Sequence, residues 1–104
     1  MNKTRLTHVR NMLTEVLLAE IEAQGEIHGY ALIKHIRKKL GAYLGASTVY
    51  PVLNKLEKEG LLISSWGFNG RMSIRSYSLT SKGQAELEAL TQDLKFILRI
   101  EAIV

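Results

Sequence analysis

The chain of 104 residues has no cysteine, which excludes a disulfide framework, a thiolate zinc site and a cysteine nucleophile, and fits a reducing compartment. No apolar run approaches the 18 or so residues needed to span a bilayer. The opening stretch MNKTRLTHVRN lacks the apolar core of a signal peptide. The expectation is a soluble, cytoplasmic protein with no membrane partner. The three histidines, His8, His28 and His35, show no metal-like pairing, so no metal site is expected. No serine, histidine and acid are placed by a nucleophile motif. Glu57 and Glu59 read as helix salt-bridge partners, not as an acid and base pair. No enzyme activity and no cofactor are expected. Internal repeats, linkers and low-complexity segments are also absent.

Acids are in the minority, ten against fourteen Lys and Arg, for a formal charge of +4. The distribution is more telling than the total. Residues 1–82 hold twelve Lys/Arg and six Asp/Glu, whereas 83–104 hold two and four. A basic body with a mildly acidic, leucine-rich tail suggests a polyanion partner for the body and a protein partner for the tail. With 46% hydrophobic residues, the chain suits one domain that buries roughly 60 to 70% of its unfolded surface.

The most informative segment is Ser47 to Leu62, STVYPVLNKLEKEGLL. On a helix, Val49, Val52, Leu53 and Leu56 fall on one side, while Ser47, Pro51, Asn54 and Lys58 fall opposite, flanked by Tyr50 and Lys55. One face suits a core, and the other carries hydroxyl, amide and ammonium groups of the kind used on phosphates and base edges. Ser47 is the expected cap. Pro51, the one proline, is tolerated only where the first turn leaves donors unpaired, which sets the start near Ser47 or Thr48. Gly60 suits the left-handed position after the helix.

Upstream, Leu6, Val9, Leu13, Val16, Leu17 and Ile21 recur at helical spacing, with Thr4 as the cap and Gly25 as the stop. Tyr30, Ile33, Ile36 and Leu40 mark a second helix after Gly29, ended by Gly41. Downstream, Leu61 to Trp66 reads as a strand, GFNGR as a tight connection, and Met72 to Leu79 as a second strand with Arg75, Tyr77 and Leu79 on one face. This hairpin is a wing. Thr80 or Ser81 caps a last helix of roughly 35 Å to Val104. Its seam of Leu87, Leu90, Leu94, Ile97 and Leu98 exceeds what the domain can cover and predicts a homodimer. The expected fold is mainly α (α+β), a winged helix-turn-helix over 1–80 with a dimerisation helix over 81–104, in one compact domain.

Three motifs, HGYALIKHI at 28–36, STVYPVLNKLEKEGLL at 47–62 and SYSLTSKG at 76–83, occur in an order and spacing that resemble the PadR-type transcriptional regulators along nearly the whole chain. The resemblance implies a winged-helix homodimer that represses promoters by binding inverted-repeat operators through helix 3 and the wing, with dimerisation by the C-terminal helix. Family wings carry a glycine-arginine-proline turn, whereas GRMSIRSY lacks the proline. The single C-terminal helix matches the short members. Some of these bind aromatic drugs between interface tryptophans, but the one tryptophan here is Trp66, in the wing.

The residues divide the labour on double-stranded DNA. Lys55 and Lys58 serve phosphates, Tyr50, Ser47 and Thr48 fix the helix on the backbone, and Asn54 suits an adenine edge. Arg71 at the hairpin tip reaches a minor groove or flanking phosphate, with Arg75 in mid-strand beside it. Lys34 and Lys38 of the basic run on helix 2 lie where a helix-turn-helix crosses the backbone. His28 reads as a hydrogen-bonded structural histidine. The rival reading is a winged helix that docks onto a protein and binds no DNA, signalled by apolar wing residues such as Trp66 and Phe68. A small-molecule effector held between two copies would extend the first reading.

Overall fold

The computed structural model describes residues 3–40 and 45–103, with side chains over 12–39 and 45–93. In chain order its elements are α1 (Lys3–Gln24), β1 (Ile27–His28), α2 (Gly29–Leu40), α3 (Ala46–Lys58), β2 (Leu62–Asn69), β3 (Met72–Leu79) and α4 (Ser81–Ile103). The three strands form one antiparallel sheet in the order β1-β3-β2. This is the winged helix-turn-helix expected from the sequence. Gly41, expected to end α2, lies outside the described residues, as do the side chains of Leu6, Val9 and Leu40.

The core joins every helix to the sheet. Leu13, Leu17, Leu18 and Ile21 of α1, Leu32, Ile33 and Ile36 of α2, and Val49, Leu53 and Leu56 of α3 are buried with Ile27, Leu61, Leu62, Tyr77 and Leu87. Each such aliphatic side chain contributes about 1.5–3 kcal/mol by leaving water. Two expectations change here. Thr4 stands within α1 rather than before it. Tyr30 is 70% exposed and Leu32 takes its place in the core, because α2 starts at Gly29 directly after β1 and its inner stripe then runs through Leu32, Ile33 and Ile36.

Helix α3 begins at Ala46, with Gly45 in extended conformation at the cap position and no side-chain cap. Ser47 is therefore the second helical residue and caps nothing. Pro51 is the sixth residue, beyond the first turn, so the carbonyl of Ser47 lacks its usual donor four residues on. Ser47 is exposed, and water can take that carbonyl. The other end closes as a Schellman motif: Leu61 N–H donates to Leu56 O at 2.9 Å and Gly60 N–H to Glu57 O at 3.0 Å, with Gly60 at φ 78° in the left-handed position that glycine enters without a Cβ clash.

The hairpin is longer than expected. Strand β2 continues to Asn69, which pairs with Met72, and the connection is Gly70 and Arg71 alone. A positive φ of 64° at Gly70, with none at Arg71, identifies a type II′ turn, whose twist matches the strands and lets pairing run to its edge. Strand β1 was not expected from the sequence. It is two residues long, with Ile27 opposite Tyr77 and His28 opposite Ser76, and His28 Nδ1 lies 2.8 Å from Ser76 Oγ, the structural role expected of that histidine.

Where α3 ends, the wing closes and α4 begins at one junction. Thr80 is the cap of α4: its hydroxyl accepts from Gly83 N–H at 3.0 Å and donates to the carbonyl of Gly60 at 2.6 Å. Lys82 Nζ donates to Glu59 O at 2.8 Å. A Cβ at Gly83 would lie 2.0 Å from the carbonyl oxygen of Leu61, so the backbone contact between α4 and the start of β2 requires glycine.

A charged clasp joins α1 to α2. Glu20 is 7% exposed and accepts from Lys39 Nζ at 2.5 Å, with His35 Nδ1 at 2.8 Å from its other oxygen. The bonds from Lys39 and His35 hold the Glu20 carboxyl below its ordinary value of 4.5, against the opposing effect of burial. A depressed folded-state value stabilises the fold above the unfolded value and is lost as pH falls through it. The melting temperature of the wild type is expected to fall as pH drops below about 4.5. In thermal melts across that window, Glu20→Gln should start lower at neutral pH and decline less steeply.

Candidate nucleic-acid interface

Because Val49, Leu53 and Leu56 are buried, α3 turns its opposite side to solvent. Ser47, Pro51, Asn54 and Lys58 are exposed along that side, with Lys55 exposed on one flank, Tyr50 on the other and Thr48 half-buried. These residues form one continuous polar stripe. Lys55 Nζ stands 3.9 Å from Glu59 Oε1 one turn on, a solvated pair too weak to remove its charge from the surface. Lys58 has no acid partner among the described residues. The Tyr50 ring lies against α2, where a Cβ at Gly29 would be 2.9 Å from its hydroxyl, and it keeps 37% exposure. It is docked on one side and wet on the other.

The basic run of α2 splits. Lys39 is tied to Glu20, whereas Lys34, Arg37 and Lys38 are exposed and line an open cleft of about 620 Å³. Lys34 Nζ sits 5.2 Å from the centre of the Tyr30 ring, a cation–π contact that leaves its charge at the surface. A second groove, of about 310 Å³, separates His28, Tyr30 and Tyr50 from the hairpin tip at Asn69 and Met72. Arg71 is exposed in the turn itself.

Arg75 is placed differently from the other candidate cations. Its Nη2 donates to both oxygens of Glu57, at 3.0 and 2.8 Å, and its Nε donates to Ser64 Oγ at 3.0 Å, while that hydroxyl donates to Glu57. The guanidinium lies 5.3 Å from the Tyr77 ring centre and 5.8 Å from that of Trp66. Its charge is met inside the molecule, and the contact fastens the wing to the last turn of α3. Glu57 was expected to pair within its helix and does not, whereas Glu59 does. The available signal was strand alternation, which puts Arg75 on the Tyr77 side of β3, where a half-buried cation needs an acid. Tyr77 is fully buried, its hydroxyl has no partner among the described residues, and burial pushes the phenol up from its ordinary value while Arg75 opposes that shift.

On α4, Leu87 is buried in the chain's own core and Leu90 packs partly against it. Leu94, Ile97 and Leu98 continue the helix, and their side chains lie outside the described residues.

Among known proteins, the Transcriptional regulator PadR-like family matches this chain over residues 17–89. The chain is similar to the transcriptional regulator Rv3488 of Mycobacterium tuberculosis, with 35% identity over 71 residues that cover 68% of this chain and 63% of that protein. The match therefore spans less than two thirds of that relative. A PadR family transcriptional regulator from Eggerthella lenta has a similar structure, with a TM-score of 0.75, 26% identity and coverage of 92% of this chain and 80% of the other. Bacillus subtilis PadR in complex with operator DNA is similar at a TM-score of 0.68 and 27% identity, over 76% of this chain and 46% of the other.

The Glu57 contact has a measurable weight. Glu57→Gln keeps the shape but leaves the half-buried Arg75 without its charge partner, and urea unfolding should show a loss of about 1–2 kcal/mol. An unchanged midpoint would mean that the pair is fully solvated in practice.

Proposed function

The chain belongs to the Transcriptional regulator PadR-like family, and from that premise we propose that it is a repressor that binds an inverted-repeat operator as a homodimer. The observation that carries this reading is the exposed stripe of Ser47, Asn54 and Lys58 on a helix whose other face is core, standing beside a hairpin tipped by Arg71. Helix α3 enters the major groove. Asn54 offers its amide to an adenine edge, and Lys55 and Lys58 neutralise phosphates. Ser47, Thr48 and Tyr50 hold the helix against the backbone, and Lys34 and Lys38 of α2 meet phosphates where that helix crosses the strand. The operator complex of the Bacillus subtilis neighbour supports the reading.

Two copies joined through α4 place two recognition helices in successive major grooves about 34 Å apart. Leu87 and Leu90 serve this indirectly, by seating the first half of α4 on its own core. The seam between copies then falls to Leu94, Ile97 and Leu98. The protein acts in the cytoplasm, where its DNA is. No helix among the described residues is long and apolar enough to cross a membrane.

Binding to a duplex from its own promoter region should weaken steeply with salt, because affinity comes largely from counterions released by the cations. Lys58→Ala should flatten that slope by about one unit without favouring any sequence. Equal affinity for random duplex, or binding indifferent to salt, would count against the proposal. For the assembly, light scattering should give twice the 11.7 kDa chain mass, and Leu94→Glu should halve it by placing a charge in the seam. An intact dimer in that variant would move the interface elsewhere.

A further inference from the structure

We infer that the wing meets the duplex through an uncharged aromatic blade, Trp66 and Phe68, and not through the charge of Arg75. The inference rests on the DNA-binding reading and names what one part of that surface touches. Leu62, Ser64, Trp66 and Phe68 alternate onto one face of β2, opposite Leu79, Tyr77, Arg75 and Ser73 of β3. The base of this face is core, and its middle is bonded to Glu57 of α3. Beyond that bond its outer end is bare: Trp66 is 69% exposed and Phe68 81%.

The position of this face follows from the helix. Glu57 lies three residues from Asn54, about 60° around α3, so the wing is fastened along the edge of the polar stripe. A duplex seated on the stripe has the aromatic rings beside it. Charge decides what they would meet there. Residues 62–79 contain no acid and two cations, Arg71 and Arg75, and Arg75 is neutralised by Glu57. The blade therefore repels no polyanion and offers a phosphate nothing except Arg71 at its tip. Between tip and helix it presents aromatic rings, which suit the uncharged sugar edges and floor of a minor groove, where apolar side chains insert against base steps. The blade adjoins the basic stripe through the contact of Arg75 with Glu57, and that continuity favours the same duplex as its occupant.

The full-length chain supplies its own probe, since Trp66 is its one tryptophan. Adding unlabelled promoter-region duplex should change the Trp66 emission at the same concentrations that raise the anisotropy of a labelled duplex. Phe68→Ala, at a site exposed enough to leave the urea midpoint unchanged, should weaken binding roughly tenfold. It should keep the wild-type salt slope, because no ion is released there, whereas Arg71→Ala lowers the slope by about one. Wild-type affinity in Phe68→Ala together with an unchanged Trp66 emission on a saturating duplex would overturn the inference and reassign the rings to a protein surface, leaving the DNA-binding reading intact. A slope that falls in Phe68→Ala would also overturn it, since the ring would then act through the cations. No binding by the wild type would remove both.

Discussion

The structure depends most on the junction where α3 stops. Within four residues the helix closes at Gly60, the backbone turns into β2, and the return strand delivers Thr80 beside it. One hydroxyl then does two things: it caps α4 and donates to the carbonyl of Gly60. Gly83 lets α4 approach to a distance that no side chain would permit. Helix α3, the wing and α4 thus share one fixed point, and a shift in any of them moves the others. The bond between Glu57 and Arg75 adds a second fixed point further along the hairpin. Two points of attachment determine the orientation of the hairpin against α3 as well as its position.

Three acids of the helices are paired with cations, Glu20 buried, Glu57 half-buried and Glu59 exposed. Glu20 is enclosed by His35 and Lys39, Glu57 by Arg75 and Ser64, and Glu59 reaches back toward Lys55. Each acid ties two elements together or steadies a helix. The cations without an acid partner among the described residues, Lys34, Arg37, Lys38, Lys58, Arg71 and Lys82, remain at the surface. Pairing Glu20 and Glu57 with cations inside the molecule leaves unpaired positive charge on α2, α3 and the wing tip, the charge that draws a polyanion.

How much of this was legible beforehand varied with the range of the interaction. Helical periodicity identified Leu13, Leu17, Ile33, Ile36, Val49, Leu53 and Leu56 as core, because repeated spacing signals a buried face without knowledge of the partner. Gly60 and the wing strands were legible for the same local reason. Pro51 misled, since a proline restricts its own turn but does not forbid a place further in, where the carbonyl it abandons is wet. Strand β1 was too short to leave a pattern, and it exists through pairing with β3 some fifty residues away. The partner of Arg75 was equally remote. Local rules placed it on a strand face, while the acid that claims its charge comes from a different element. The candidate stripe on α3 was legible in full, and the residues that aim it were not.

In the proposed complex, α3 and the wing together form one surface that binds duplex DNA in two symmetric copies. A hydroxyl-radical footprint on the protein's own promoter region would reveal that surface on the DNA. Two protected patches on one face of the helix, about one turn apart, are expected, each extending into a flanking minor groove. Protection that is uniform along the fragment, or absent at saturating protein, would contradict that complex.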